Sequence, residues 1–277
     1  MTGVLAIAAC LLLVAAPRPK KLAVGSITTH QFDGGPALPA DYIFTPGETV
    51  FFTFSVEGFT ASEEGQIKLH YQARATDPDN VLLAPPFAGT IEAELAPEDK
   101  NWLPKARHEF VLPSYLGPGT YRLSVTVKDE LAGTEASSQI PLRVQGQAVE
   151  PAASITARNF RFLRSEEDGA GLAPPVYRPA DTVWARFEIT GYKLGEKNRF
   201  HVEYGVAVLS SSGKVLFSQP KAATEEEQPF YPRRWVGGIL SLTGRPDTKP
   251  GEYTLVLTLR DLIGNQSSES RHTFRVE

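Results

Sequence analysis

The residues able to carry covalent or metal chemistry are few and scattered. The chain holds five histidines (His30, His70, His108, His201 and His272) and a single cysteine, Cys10. Nucleophilic catalysis needs a Ser, Cys or Thr beside a base that a third group orients. No G-x-S-x-G elbow occurs, and Cys10 lies in an apolar N-terminal run. A metal centre needs ligands at set spacings, and no H-x-x-x-H, C-x-x-C or EF-hand pattern is present. The stretch "DPDN" (77–80) offers carboxylates for calcium, but the segment that matches it later in the chain, "SSSG" (210–213), offers none. A plain turn is the better reading. "SEED" (165–168) and "EEE" (225–227) read as solvated acidic loops. No glycine-rich phosphate loop or dinucleotide fingerprint follows a strand. Catalytic, cofactor-binding and metal-binding residues are therefore expected to be none. The remote alternative is a hydrolase at a domain junction, with Asp181 and His201 as its most plausible pair.

Binding chemistry has better candidates. Phe51 and Trp184 occupy matching positions on the polar side of their strands, where rings offer contact area at low entropic cost. They could equally lie under a loop or against a neighbouring domain. A second pair of matching regions each combines acids, aromatics, proline and basic residues. One is "PEDKNWLPKARHEF" (97–110), with Trp102; the other is "EEEQPFYPRRW" (225–235), with Phe230, Tyr231, Arg233, Arg234 and Trp235. Arginine stacked on aromatics is a frequent interface anchor. The competing reading has these rings closing an edge of the fold while arginine stems cover them.

The elements that would position these residues show themselves through a repeat. Shifted by 133 residues, Phe44–Phe59 falls on Tyr177–Tyr192, aligning Pro46 with Pro179, Phe54 with Phe187 and Gly58 with Gly191. With one residue deleted, "GPGTYRLSVTVKD" (117–129) falls on "KPGEYTLVLTLRD" (249–261). The period is far too long for a solenoid, so each copy is expected to fold as a domain. The expected units are 22–146 and 153–277, joined by a short connector holding Pro151. Within each copy apolar residues alternate with period two. Val50, Phe52, Phe54 and Val56 share a face, as do Val183, Ala185, Phe187 and Ile189. That is the pattern of strands with one buried face. No amphipathic helical stretch follows residue 20. Frequent turns between short strands predict an all-β chain of two tandem antiparallel sandwiches.

The phrases "PGTYRL" and "PGEYTL" resemble the tyrosine corner of immunoglobulin-like sandwiches, whose Tyr bonds back to the preceding turn. Leu123 and Leu255 stand in the core slot two residues on. The resemblance extends to the immunoglobulin-like, fibronectin III-like and PKD-like modules of bacterial surface proteins, and covers both copies. It implies the architecture and says little about role, because this fold serves many. Asp129 and Asp261 end their strands and are expected to cap the turns that follow.

Composition sets the outer bounds. The chain has 277 residues, 42% hydrophobic and 22% charged, with a formal net charge of -4. These values suit a globular protein with sizeable cores, and the lack of a basic stripe argues against nucleic acid. One cysteine excludes an intramolecular disulfide. Val4–Ala16 is uncharged, too short to span a bilayer comfortably and of the right length for a signal-peptide core. The basic residues Arg18, Lys20 and Lys21 follow it rather than precede it. Residues 1–21 are thus expected to be a signal or anchor, with lipidation at Cys10 a lesser option and any membrane contact confined to this segment. The expected role is a non-catalytic exported protein of a bacterial envelope, periplasmic, surface-bound or secreted. It would bind protein or glycan, or serve as a spacer, without a cofactor. The alternative is an inhibitor or chaperone-like sandwich working through loop 225–235.

Overall fold

The computed structural model describes residues 21–96, 98–99 and 102–277. The apolar run Val4–Ala16 and Cys10 lie outside the described residues. The first half contains β1 (Ala23–Val24), β2 (Thr28–His30), β3 (Ile43–Phe44), β4 (Thr49–Glu57), β5 (Gln66–Thr76), β6 (Phe87–Glu94), β7 (Lys105–Val111), β8 (Gly119–Asp129) and β9 (Thr134–Val144). The second contains β10 (Thr156–Leu163), β11 (Val176–Tyr177), β12 (Thr182–Thr190), β13 (Phe200–Ser210), β14 (Val215–Glu227), β15 (Trp235–Thr243), β16 (Gly251–Asp261) and β17 (Gln266–Val276). The only helical element among the described residues is one 3-10 turn, Glu196–Asn198.

Each half is a sandwich. In the first, β4 carries β7 on one side and β1 and β2 on the other, facing a sheet ordered β3-β9-β8-β5-β6. In the second, β10-β12-β15 faces β11-β17-β16-β13-β14. Strand for strand the halves correspond. β4 matches β12 and β8 matches β16, and β10 stands for β1 and β2 together, with an irregularity between Arg158 and Arg161 where the first copy breaks into two strands. The alternation seen in sequence is the burial pattern. Val50, Phe52, Phe54 and Val56 are fully enclosed, as are Ala185, Phe187 and Ile189. Each of the Val, Ile and Phe side chains among them contributes about 1.5–3 kcal/mol through burial.

Not all pairing is antiparallel. β3 lies parallel to β9 and β11 parallel to β17. These two-residue strands form where the chain changes sheets just before β4 and β12, and they reach the edge running in the same direction as the last strand. Such short pieces have no period to read in sequence.

Both tyrosine corners form. Tyr121 Oη donates to the Gly117 carbonyl at 3.0 Å, and Tyr253 Oη to that of Lys249 at 2.6 Å. Both aspartate caps form as well, and each does more than cap. Asp129 Oδ1 accepts from the Leu131 and Ala132 amides, while Oδ2 accepts from the Thr60 amide at 2.7 Å. Asp261 does the same for Ile263, Gly264 and, at 2.9 Å, Lys193. The buried carboxylate thus ties the last hairpin to the chain leaving the central strand. That chain leaves through Gly58 and Gly191, with φ of 66° and 77°, where a side chain would be strained.

Candidate functional site at the junction of the sandwiches

The segment 228–234 crosses from β14 to β15, and its residues divide between solvent and the first sandwich. Phe230 is half exposed, whereas Tyr231 is only 7% exposed and packs within the hydrophobic core of the first sandwich. Its hydroxyl donates to Asp77 Oδ2 at 2.9 Å. Asp77 is itself buried, and its other oxygen accepts the amides of Asp79 and Val81 at 2.9 and 2.8 Å. "DPDN" is therefore a turn, and also the socket for a tyrosine 154 residues away.

Neighbouring groups close around this contact. Tyr115 Oη donates to the Tyr231 carbonyl at 2.6 Å, and the two rings stack with centroids 6.2 Å apart. The Arg233 guanidinium lies 5.5 Å from the Tyr115 ring centre and 5.7 Å from that of Phe200, and pairs with Glu227 at 2.9 Å. Tyr192 donates to the Arg233 carbonyl at 2.7 Å, and Asn198 to that of Phe230, also at 2.7 Å. Arg234 is largely exposed and reaches Asp77 and Asp79 at 3.8 and 3.7 Å. Across the connector, Gln147 donates to the buried Glu188 at 2.7 Å.

Burial dominates the electrostatics. It pushes Tyr115 up to about 12, helped by the charge of Glu227. It also raises Tyr231, where the bond to Asp77 adds to the effect, and Tyr192. All three hydroxyls stay neutral and act as donors.

Beside the lock runs a crevice of about 530 Å³ whose lining includes Tyr115, Gln147, Glu150, Arg234 and Trp235. Trp235 Nε1 is buried without a hydrogen-bond partner among the described residues.

The remaining candidates lie elsewhere. Trp102 is 41% exposed just before β7. Pro104 bonds to Val56 at the far end of β4, while the chain leading to Tyr115 bonds Leu112 to Glu48 at its start. The two sites thus mark opposite ends of the first sandwich. Phe51 and Trp184 are half-buried on the outer faces of β4 and β12 and take no part in the contacts around Tyr231. The hydrolase pairing does not form. Asp181 sits before β12 and accepts from the Arg178 amide, whereas His201 lies at the junction end of β13, 3.6 Å from Glu226. The sequence reading marked Tyr231 but missed Asp77 and Tyr115. The signal available for Asp77 was the contrast between "DPDN" and "SSSG" at one position of an otherwise faithful repeat.

No family model matches the chain, and no curated protein does. Among solved structures, the C-terminal domain of the Streptococcus pyogenes antigen I/II-family protein AspA aligns over 92% of this chain and 99% of its own. The identity is 13% and the TM-score 0.32. The C-terminal domain of the Streptococcus agalactiae AgI/II polypeptide BspA aligns over 93% of this chain and 100% of its own, at 11% identity and a TM-score of 0.29. At these scores neither assigns a family or a role.

Proposed function

We propose that the chain is a non-catalytic, exported spacer of a bacterial cell envelope, in which two sandwiches are held at one fixed angle. The observation that carries this reading is Tyr231, a side chain of the second sandwich buried in the first with its hydroxyl on Asp77. A flexible pair of binding modules has no need of an interdomain ring in a core. Export is supported by the uncharged run Val4–Ala16. The test is small-angle scattering on the full chain and on Tyr231→Ala. The native protein should fit a single conformation, and the variant should need an ensemble with a broader distance distribution. A native chain as broad as the variant would sink the proposal.

The crevice favours one second reading, capture of an extended protein or glycan segment against Trp235 and Arg234. Its test is partner capture with Trp235→Ala and Arg234→Ala, which should abolish it. The inhibitor-loop alternative loses support, because Tyr231 and Arg233 are committed inside the molecule and loop 225–235 has little freedom to enter a cleft.

A further inference from the structure

The two copies differ sharply at one matching edge. β6 and β14 both close the β5 or β13 side of a five-stranded sheet. β6 has eight residues, alternates between half-buried and exposed, follows Pro85 and Pro86, and turns Glu92 and Glu94 outward. These are devices that blunt an edge. β14 has thirteen residues; its pairing with β13 shifts register on either side of Phe217–Gln219, and Val215 to Lys221 are exposed without a break. Neither face of that stretch is covered by the described residues. It begins with Val215, Leu216 and Phe217, 57%, 52% and 42% exposed, and carries no charge from Val215 to Pro220. β14 pairs with β13 alone, which leaves its outer backbone groups without a strand partner among the described residues. The opposite edges of these sheets, β3 and β11, are only two residues long.

We propose that β14 is a homodimerisation edge, pairing antiparallel with β14 of a second copy about a two-fold axis near Phe217. An antiparallel strand is complementary to itself about this axis, with Phe217 opposite Phe217 on the regular side of the shift at Leu216. The two Phe217 rings thereby meet, and each Lys214 faces the other copy's Pro220 rather than another lysine. Phe217 is the cross-strand neighbour of Val208, which packs on the second core. Its ring therefore lies on the inner face, and two such rings would extend both cores across the seam. The contact uses the same patch on both copies, so it closes as a pair. A one-strand seam is smaller than the roughly 800 Å² per partner of a typical stable interface, so the dimer should be weak and concentration-dependent.

The test is sedimentation velocity on the full chain carrying Cys10→Ser, over a concentration series. A reversible monomer–dimer equilibrium is expected, with the dimer lost in Phe217→Lys at unchanged far-UV circular dichroism and melting temperature. On the same background, Phe217→Cys should form a disulfide dimer, because directly opposed Cα atoms across an antiparallel pair, about 4.5–5.5 Å apart, lie within bridging range. Ala88→Cys on β6 should not. A chain that stays monomeric throughout, a dimer that survives Phe217→Lys, or equal cross-linking at both positions would overturn the proposal. So would a monomer that instead binds a foreign extended peptide along β14.

Discussion

Tyr231 combines a ring that fills space in the first core with a hydroxyl that satisfies a buried carboxylate. The two contributions separate by substitution. Tyr231→Phe keeps the ring and leaves Asp77 Oδ2 with only Arg234 at 3.8 Å. A buried acceptor deprived of its donor costs about 1–3 kcal/mol. Denaturant unfolding should show that loss, whereas Phe230→Ala, half exposed, should fall within about 0.5 kcal/mol of the native protein. At this scale the sequence was partly legible. It marked Phe230 to Trp235 as a cluster worth attention, because the residue types are those of anchors. It could not say which ring turns inward. That choice depends on Asp77 and Tyr115, which come close only after both sandwiches have formed.

The strand elements were the most legible level, because their determinants are local. Alternation fixes a buried face, and the tyrosine corners bond to a carbonyl four residues back. The aspartate caps show where local reading stops. Capping by Asp129 and Asp261 follows from their place at strand ends, but the second bond, to Thr60 or Lys193, crosses the sandwich. Asp261→Ala should therefore cost more than loss of an ordinary turn. It strips the partly buried amides of Lys193, Ile263 and Gly264 of their acceptor, at about 1–3 kcal/mol. Asp129→Ala should match it in the first sandwich, and calorimetry on the single and double variants should find the two effects additive, as expected of distant sites. If Asp261→Ala proves neutral, the clamp between hairpin and central strand has no weight. The short parallel strands β3 and β11 and the division of β1 from β2 were not legible, since two or three residues carry no periodicity.

For the molecule as a whole, the junction gathers three tyrosines whose hydroxyls stay protonated because they are buried. Tyr115 is held at about 12 against an ordinary 10.0, and Tyr231 and Tyr192 are shifted the same way. A raised acid favours the state that keeps its proton. Coupling between the sandwiches should therefore be constant up to about pH 10 and fall between there and about pH 12, as the separated halves ionise first. Scanning calorimetry should show one cooperative transition at neutral pH that splits in two at alkaline pH, and already at neutral pH in Tyr231→Ala. Two transitions in the native protein at neutral pH would mean that the halves are independent.

The joint is written into one copy only. Shifted by the period of the repeat, Asp77 falls on Ser210, so the distal sandwich offers a short hydroxyl where its twin offers a carboxylate. A third module bearing the same tyrosine finger would find nothing to grip. The repeat is thus alike in its strands and directional in its joint.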